Sequence, residues 1–266
     1  MIPGLGGLGG WRILAAVGEI TDGAAAIMAA ANAALLWRVL AGARGHQFTD
    51  HGSFVAADAG TGQGGLRVIR RHPGDPAGDN ARIGRLAWRD AGRMMVEDPF
   101  GQLDLARQGL SGRPLPVMIL ERPPDRWPAV PGVEVCRAGD SGTLAAAEEV
   151  IATGFPMRVF LPYRCGAMLP PGLLGSNRIS VFLALRGGEA AGGCIALSAD
   201  GDGGIYSLAT MPEHRSRGVG RALMHAALRH LGSVPVTLVA TRDGVPLYQS
   251  LGFRTIGHST WWRVRT

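Results

Sequence analysis

A short arginine- and glycine-rich segment of the chain has the composition of a phosphate-binding site. Residues 215–221 read Arg-Ser-Arg-Gly-Val-Gly-Arg, and an amphipathic helical pattern follows as far as Gly232. Each glycine in a first turn costs a helix about 1 kcal/mol relative to alanine, so the pair suggests that another group approaches the backbone closely. Free amides at a helix N-terminus attract anions. The segment predicts a site for a phosphate-bearing ligand; an ordinary loop entering a helix is the alternative.

The elements around this segment alternate between strands and helices. A strand is predicted at 133–137, followed by a helix that Asp140 or Ser141 caps and that runs to about Thr153. Three hairpin-connected strands, a helix after the arginine-rich segment, one more strand, a short helix and two final strands complete this half. The later strands are predicted at 179–185, 192–198, 205–210, 234–240, 253–257 and 260–264, and the short helix begins at Asp243 or Gly244 and ends at Gly252.

This order, together with two motifs, resembles the GNAT superfamily of acyl-CoA N-acyltransferases. Arg215-Ser-Arg-Gly218-Val-Gly220 fits the pyrophosphate loop of that family, (Gln or Arg)-x-x-Gly-x-(Gly or Ala). Tyr248-Gln-Ser-Leu-Gly252-Phe253 fits its second signature. The resemblance covers about 132–266. It implies an α/β (α+β) fold of the GNAT type, with a mixed, mostly antiparallel, twisted sheet flanked by helices, and an additional N-terminal α/β domain.

The resemblance also implies roles for individual residues. Tyr248 corresponds to the general acid that protonates the departing thiolate, a step that suits a phenol with an ordinary pKa near 10. An amide near Leu208 or Ala209 would polarise the thioester carbonyl. The implied donor is acetyl-CoA, with no metal. The residues expected to bind coenzyme A are Leu208, Ala209 and Thr210 on the strand, and Arg215, Ser216, Arg217, Gly218, Val219, Gly220 and Arg221 on the loop and helix.

The acceptor is expected to be the primary amine of a small molecule. The irregular region 154–175 could form one wall of its pocket, because long loops in compact domains are often functional. The base that takes the proton of the amine is not identified: Glu213, Asp140, Glu148 and Glu149 all remain open. Three histidines of the same half, which do not share one helix face, are interpreted as surface residues: His214, His225 and His230.

The first half of the chain carries neither motif. Helices are predicted from Thr21 or Asp22 to about Leu40 and over 80–96, and strands at 53–57, 66–70 and 115–120. A glycine cluster at 58–65 invites a dinucleotide or S-adenosylmethionine site, but both need a helix directly afterwards, and a strand pattern follows instead. A flexible loop between strands is the favoured interpretation.

A segment with four prolines, 122–132, is the best candidate for a domain linker. We therefore expect an N-terminal α/β domain at 1–130, which could be a degenerate GNAT-like copy, and a GNAT domain at 131–266.

Composition limits the other function classes. The 266 residues carry a formal net charge of +6, and all 27 basic residues are arginine, which is typical of a high-GC bacterial genome. The three cysteines show neither metal-ligand spacing nor an even count, so reduced thiols and a cytoplasmic location are expected. The apolar region 23–37 is too short and too weakly hydrophobic to predict a membrane span, and a signal peptide is not expected. We expect no membrane partner, and a monomer or homodimer.

Three alternatives stay open at this point. A GNAT-like transferase could use aminoacyl-tRNA as its acyl donor, which is the one nucleic-acid partner that the arginine-rich composition leaves open. A non-catalytic domain could bind an acyl-CoA and regulate a partner. A methyltransferase built on the 58–65 loop is the most distant of the three.

Overall fold

The structure, a computed structural model, describes residues 19–60, 64–87, 93–155 and 157–264. Five α-helices lie in this part of the chain: α1 (Asp22–Arg44), α2 (Pro76–Ala87), α3 (Ser141–Gly154), α4 (Val219–Leu231) and α5 (Val245–Ser250). The strands there are β1 (Gln47–Asp50), β2 (Phe54–Asp58), β3 (Leu66–Arg70), β4 (Met94–Asp98), β5 (Leu110–Leu120), β6 (Glu134–Arg137), β7 (Ile179–Arg186), β8 (Glu189–Ser198), β9 (Gly203–Thr210), β10 (Val236–Val239) and β11 (Arg254–Val264).

All of these strands form one sheet. Their order is β1-β2-β3-β4-β11-β5-β10-β9-β8-β7-β6, and the neighbours are antiparallel except for the parallel pairs β3–β4 and β9–β10. In each parallel pair a helix lies between the strands in sequence, α2 in the first and α4 in the second, as a parallel crossover requires. The expected mixed, mostly antiparallel sheet flanked by helices is confirmed.

The sheet has an internal pseudo-two-fold arrangement around β5 and β11. On one side a three-stranded antiparallel unit (β1–β3) leads through α2 to β4; on the other a comparable unit (β7–β9) leads through α4 to β10. The two central strands are exchanged. β5, from the first half, pairs with β10, and β11, from the second half, pairs with β4. The halves are therefore joined through the centre of the sheet and not only through the linker.

The two faces of the sheet are covered by different helices. On one face α4 and α5 pack over the second half and α2 packs over the first. On the opposite face α3 packs over β7 and β8, while the long helix α1 extends over the central and first-half strands. We call the face with α4 the α4 face and the face with α1 and α3 the α3 face.

Helix α1 is a core helix of this fold. Thr21 caps it by accepting a hydrogen bond from the Ala24 amide at 3.3 Å, and Gly45 ends it with a left-handed φ of 71°. It thus continues four residues beyond the predicted end at Leu40, through Gly42. By length and composition it is the one helix in the described chain that could span a membrane, yet half of its most apolar window is buried against the sheet and the loops beside it.

Several sequence-based boundaries in the first half and at the end are wrong. The helix predicted over 80–96 is α2, which begins at Pro76 and ends at Ala87, and Met94–Val96 belongs to β4 because it pairs with β3 in the buried centre of the sheet. The two predicted final strands are one strand, β11, with a register irregularity between Thr255 and Gly257. β1 was not predicted.

The glycine cluster at 58–65 connects β2 and β3 of an antiparallel hairpin. The Asp58 carboxylate accepts a hydrogen bond from the Gly60 amide at 2.7 Å, and residues 61–63 lie outside the described part. A strand follows the loop, so the dinucleotide and S-adenosylmethionine interpretations lack the helix that they require.

Candidate active site

The parallel strands β9 and β10 separate and leave a wedge-shaped opening in the sheet. They pair at only two positions, Val236 with Gly203 and Thr237 with Gly204, although β9 continues to Thr210 and β10 to Val239. Beyond those positions the side of β9 that faces β10 has no strand partner. The opening widens toward the carboxyl ends of both strands, where ligands commonly bind in open α/β sheets.

A β-bulge marks β9 inside this opening. Ser207 and Leu208 together lie opposite the single residue Cys194 of β8, and Ser207 has a positive φ of 51°. A bulge turns one residue out of the regular ladder, and bulges are frequent beside active sites. It falls next to Leu208 and Ala209, the two positions predicted to polarise the thioester carbonyl.

The loop from β9 to α4 leaves a row of backbone amides without protein partners. Among the described residues, no hydrogen bond is donated by the amides of residues 216–221; the first amide of α4 with a partner is that of Ala222, which donates to the Gly218 carbonyl at 2.9 Å. No side chain caps this helix. The amide of Arg215 is different because it donates to the Pro212 carbonyl at 3.3 Å. The free amides extend over 216–221 and fit an anion at the positive end of the helix.

The two glycines of the motif have neighbours within the chain. Gly218 has a left-handed φ of 82°, and a Cβ there would lie 2.6 Å from Cγ1 of Val130 in the linker. A Cβ on Gly220 would meet Leu247 of α5 at 3.2 Å and Leu208 of β9 at 3.6 Å. Close approach explains both glycines, as the sequence suggested, but the approaching groups in this structure belong to the protein itself.

Two arginines of the loop form hydrogen bonds that connect elements of the fold, and the third does not. The Arg215 guanidinium donates to the carbonyls of Gly154 at 3.3 Å and Thr210 at 3.4 Å, which ties the end of α3 to the end of β9. Arg221 donates to the Ser250 hydroxyl at 2.8 Å and connects α4 to α5. Arg217 is exposed. Arg215 is exposed as well, but among the described residues Arg217 is the one of the three arginines whose side chain makes no hydrogen bond or ion pair.

Tyr248 lies on α5, on the same face of the sheet as α4. Its ring packs edge-on against Phe253, and the Phe253 amide donates to the Tyr248 carbonyl at 3.1 Å across a turn in which Gly252 has a φ of 90°. This turn explains the spacing of the Tyr248–Gly252–Phe253 motif. Burial, with a smaller contribution from Cys194 opposite the bulge, raises the pKa of Tyr248 well above its ordinary value. The phenol therefore stays protonated near neutral pH.

Two adjacent glycines of β8, which the sequence did not single out, seat the helices on both faces. A Cβ on Gly192 would lie 2.6 Å from Val219 Cγ1 at the start of α4. A Cβ on Gly193 would lie 3.0 Å from Ile151 of α3 on the opposite face. Alternation along a strand sends neighbouring residues to opposite faces, so consecutive glycines let both helices approach at one level.

Glu148 has a structural role on the α3 face. Its side chain is fully buried, and its carboxylate accepts hydrogen bonds from the amides of Gly166, Met168 and Leu169 and from the Tyr163 hydroxyl. Arg44 of α1 adds two hydrogen bonds to the Met168 carbonyl, at 2.6 and 2.8 Å. These contacts order the region 163–169. With all four partners used, Glu148 is a poor candidate for the base; Asp140, which caps α3, and the exposed Glu149 and Glu213 are not brought into the opening by any contact seen here.

The histidines are not all surface residues, contrary to the prediction. His225 is buried on α4, where its Nδ1 donates to the Pro128 carbonyl at 2.8 Å and its ring packs on Trp127. His214 is buried as well, while His230 is exposed. The linker thus packs along α4. Among the described residues, no group of three or more His, Cys, Asp or Glu side chains could hold a metal ion.

The corresponding place in the first half is closed. β3 and β4 pair at four positions from Leu66 to Ile69, without a wedge. At their carboxyl ends the fully buried Arg70 donates to Asp79 at 3.1 Å, Asp98 at 3.4 Å and Gln102 at 2.9 Å. Asp75 accepts from the Gly78 amide at 2.9 Å in the first turn of α2. In the first half, the ion pairs of Arg70 and the Asp75 carboxylate thus lie at the places that correspond to the free backbone groups of β9 and α4 in the second half.

Two cavities, of about 180 and 220 Å³, lie elsewhere. The smaller is lined mainly by residues around β6, β7 and the start of α3; the larger lies beside the N-terminus of α1 and β11. Neither is lined by residues of the 215–221 loop. The candidate site is defined by the separation of β9 and β10 and not by either of these cavities.

Comparison with known proteins finds a family match within the second half. Residues 177–255 match the family described as "Acetyltransferase (GNAT) domain", so this segment of the chain is a GNAT domain. It contains the wedge, the free amides and Tyr248. A search of curated proteins finds no significant match.

The fold of nearly the whole chain is shared with solved GNAT proteins. A GCN5-related N-acetyltransferase from Kribbella flavida superposes with a TM-score of 0.65 at 16% identity, over 91% of this chain and 96% of that one. A GNAT-family acetyltransferase, described as putative, from Novosphingobium aromaticivorans gives 0.56 at 18% identity, over 82% and 92%. A tandem GNAT protein from the clavulanic acid biosynthesis pathway gives 0.51 at 17% identity, over 79% and 77%. The tandem protein is consistent with two related halves.

Proposed function

We propose that the protein is an N-acetyltransferase, an acyltransferase of the EC 2.3.1 type, that moves the acetyl group of acetyl-CoA to the primary amine of a small molecule. One observation carries the proposal: the wedge between β9 and β10 ends at the six partnerless amides of residues 216–221. Such a site can pair with an extended amide-containing chain along β9 and hold a pyrophosphate at the N-terminus of α4. Coenzyme A contains both parts, and GNAT proteins use it as donor.

The residues present fit that donor. The free edge of β9 at Leu208, Ala209 and Thr210 would pair with the pantetheine amides, and the amides of 216–221 would hold the pyrophosphate. The bulge at Ser207 and Leu208 leaves backbone groups near the place where the thioester carbonyl would lie.

The reaction proceeds by direct attack. The nitrogen lone pair of the neutral amine attacks the thioester carbonyl carbon, the new C–N bond forms and the C–S bond breaks. Tyr248 gives its phenolic proton to the departing sulfur, a task that its raised pKa permits across neutral pH. The proton lost from nitrogen passes to water, and the phenol regains a proton from solvent.

The test is release of free thiol from acetyl-CoA in the presence of a panel of primary amines, followed with a thiol reagent and by mass spectrometry of the acetylated product. A companion variant, Arg217→Glu, should weaken binding of coenzyme A about tenfold, because it reverses a charge beside the free amides. Arg229→Glu, exposed near the other end of α4, is the matched control and should bind normally. Equal affinity of the two variants would contradict the pyrophosphate assignment.

These measurements, together with a tRNA-binding assay, separate the alternatives. An aminoacyl-tRNA donor predicts retention of tRNA at low salt, lost steeply as salt is added. A non-catalytic role predicts binding of coenzyme A without thiol release for any amine. We propose a cytoplasmic protein, which the unpaired state of all three cysteines supports.

A further inference from the structure

Most of the exposed large apolar side chains of the described chain lie in one short stretch. Four such residues are exposed, and three of them fall within seven positions: Phe155 at 38%, Val159 at 47% and Leu161 at 38%. Single exposed apolar residues are ordinary, whereas contiguous exposed apolar patches can mark binding surfaces. We call these three residues the apolar rim.

The apolar rim begins directly beside the candidate active site. A Cβ on Gly154 would lie 3.4 Å from the carbonyl group of Thr210, the last residue of β9. The Thr153 hydroxyl contacts the sulfur of Met211 at 3.6 Å, and Arg215 holds the Gly154 carbonyl at 3.3 Å. Phe155 therefore follows immediately after the point where α3 touches the wide end of the wedge.

The described residues beside Val159 and Leu161 are packed against the rest of the chain. Between Val159 and Leu161, Phe160 is buried and its ring lies 5.3 Å from the Arg44 guanidinium. Beyond the rim, Glu148 and Arg44 hold 163–169 by the hydrogen bonds described above. Gly154 on one side of the rim and residues 163–169 on the other are thus anchored by hydrogen bonds.

The charges of the loop restrict what it can receive. Residues 154–175 contain no Asp or Glu, and the two charged side chains, Arg158 and Arg164, are both exposed and positive. Along this loop a polyamine or another polycation would meet two positive charges and no carboxylate partner. An amine on an apolar group would bury its carbon atoms against the rim and carry no second positive charge.

We propose that the acceptor is a primary amine attached to an aromatic or branched aliphatic group, and that Phe155, Val159 and Leu161 bind that group. This inference rests on the proposed acetyltransferase function and names the substrate class. A second copy of the chain or a protein partner on the rim is the competing occupant, and the test below separates it.

The experiment compares 2-phenylethylamine and isoamylamine with spermidine in the thiol-release assay. The two apolar amines should have kcat/KM values at least tenfold above that of spermidine. Val159→Asp should raise KM for 2-phenylethylamine about tenfold while KM for acetyl-CoA changes less than twofold. The control is Ala77→Asp, which places the same charge at an exposed apolar residue of α2, in the first half of the chain, and should change neither value.

Other outcomes overturn the substrate class or the function separately. Thiol release fastest with spermidine, or unchanged kinetics in Val159→Asp, would reject the apolar acceptor and leave the acetyltransferase intact. A shift in molar mass by light scattering in Val159→Asp with unchanged kinetics would make the rim an interface. If no amine releases thiol, binding of 2-phenylethylamine to the coenzyme A complex is measured by calorimetry. Binding by the wild-type protein that is lost only in Val159→Asp would support the rim as the binding surface and reject catalysis. No binding by the wild-type protein would reject both the rim and catalysis.

Discussion

Tyr248 is the residue on which the chemical step of the proposed reaction depends. Replacing it with Phe removes the acidic proton while preserving the packing against Phe253. We expect kcat to fall about a hundredfold, within the range of general acid catalysis, and Kd for coenzyme A to change less than twofold. Steady-state kinetics and calorimetry measure the two values. A kcat within twofold of wild type would make Tyr248 a packed core aromatic.

The pH dependence follows from the direction of the same pKa. Because burial raises the pKa of Tyr248 above its ordinary value near 10, the phenol remains protonated as pH rises through the alkaline range. The wild-type kcat should therefore show no loss between pH 8 and pH 10 that is attributable to this group. A pH–rate profile at saturating substrates checks this; a fall with a midpoint below 9 would assign the acid to another residue.

Glu148 is predicted to matter for stability. In Glu148→Gln the amide group of glutamine faces the donors whose hydrogen bonds the carboxylate accepts in the wild-type protein. At least one buried donor therefore loses its partner. We expect the free energy of unfolding to fall by about 1–3 kcal/mol, measured by chemical denaturation. The neighbouring Glu149→Gln is the control; it is exposed and should change stability by less than about 0.5 kcal/mol. Equal effects would show that the buried contacts are unimportant.

At the scale of elements, the position of α4 depends on Gly192 of β8, against which the start of α4 packs. Gly192→Ala places a methyl group 2.6 Å from Val219 Cγ1 and 2.8 Å from the Ala209 carbonyl oxygen. Overpacking of this kind costs about 1–3 kcal/mol, and the shift of α4 should also weaken binding of coenzyme A. Gly172→Ala, with open space around its Cβ, should be neutral in both denaturation and calorimetry. Unchanged affinity in Gly192→Ala would show that α4 adjusts without moving the loop.

At the scale of the whole molecule, the exchanged strands predict that the second half does not fold alone. A fragment of residues 131–266 lacks β5, which pairs with β10 at four positions and with β11 at ten. We expect it to show no cooperative thermal transition by circular dichroism, whereas a chain of residues 19–266 keeps all of these pairings and should unfold cooperatively. A cooperative transition in the short fragment would support an independent domain at 131–266.

The same arrangement predicts how many donor molecules bind. The wedge and free amides occur in the second half, whereas Arg70 and its carboxylate partners close the equivalent place in the first. Titration calorimetry should give one coenzyme A per chain. A stoichiometry of two would mean that the buried ion network opens on binding.

Much of the second half was predictable because its signals are local. Helix caps at Asp140 and Gly232, turn glycines and alternating strands identify its elements, and the spacing of the Arg215 and Tyr248 motifs depends on short-range geometry such as the left-handed turn at Gly252. In the first half the apolar run Met94–Val96 was read as helix, since a short buried strand and a helix segment have the same composition. Its pairing with β3 depends on residues far away in the sequence, so the local pattern does not reveal it.

The sequence by itself determined the arginine- and glycine-rich composition of 215–221, the family motifs and the acid-free composition of 154–175, because each depends on residue types and spacing within one segment. Only the tertiary structure decided that β5 and β11 change places, that Glu148 is a buried anchor, and that the glycines of the motif face Val130 and Leu247. Those facts join segments far apart in the chain. Packing between such distant segments determines each of these features, and no local sequence pattern encodes that packing.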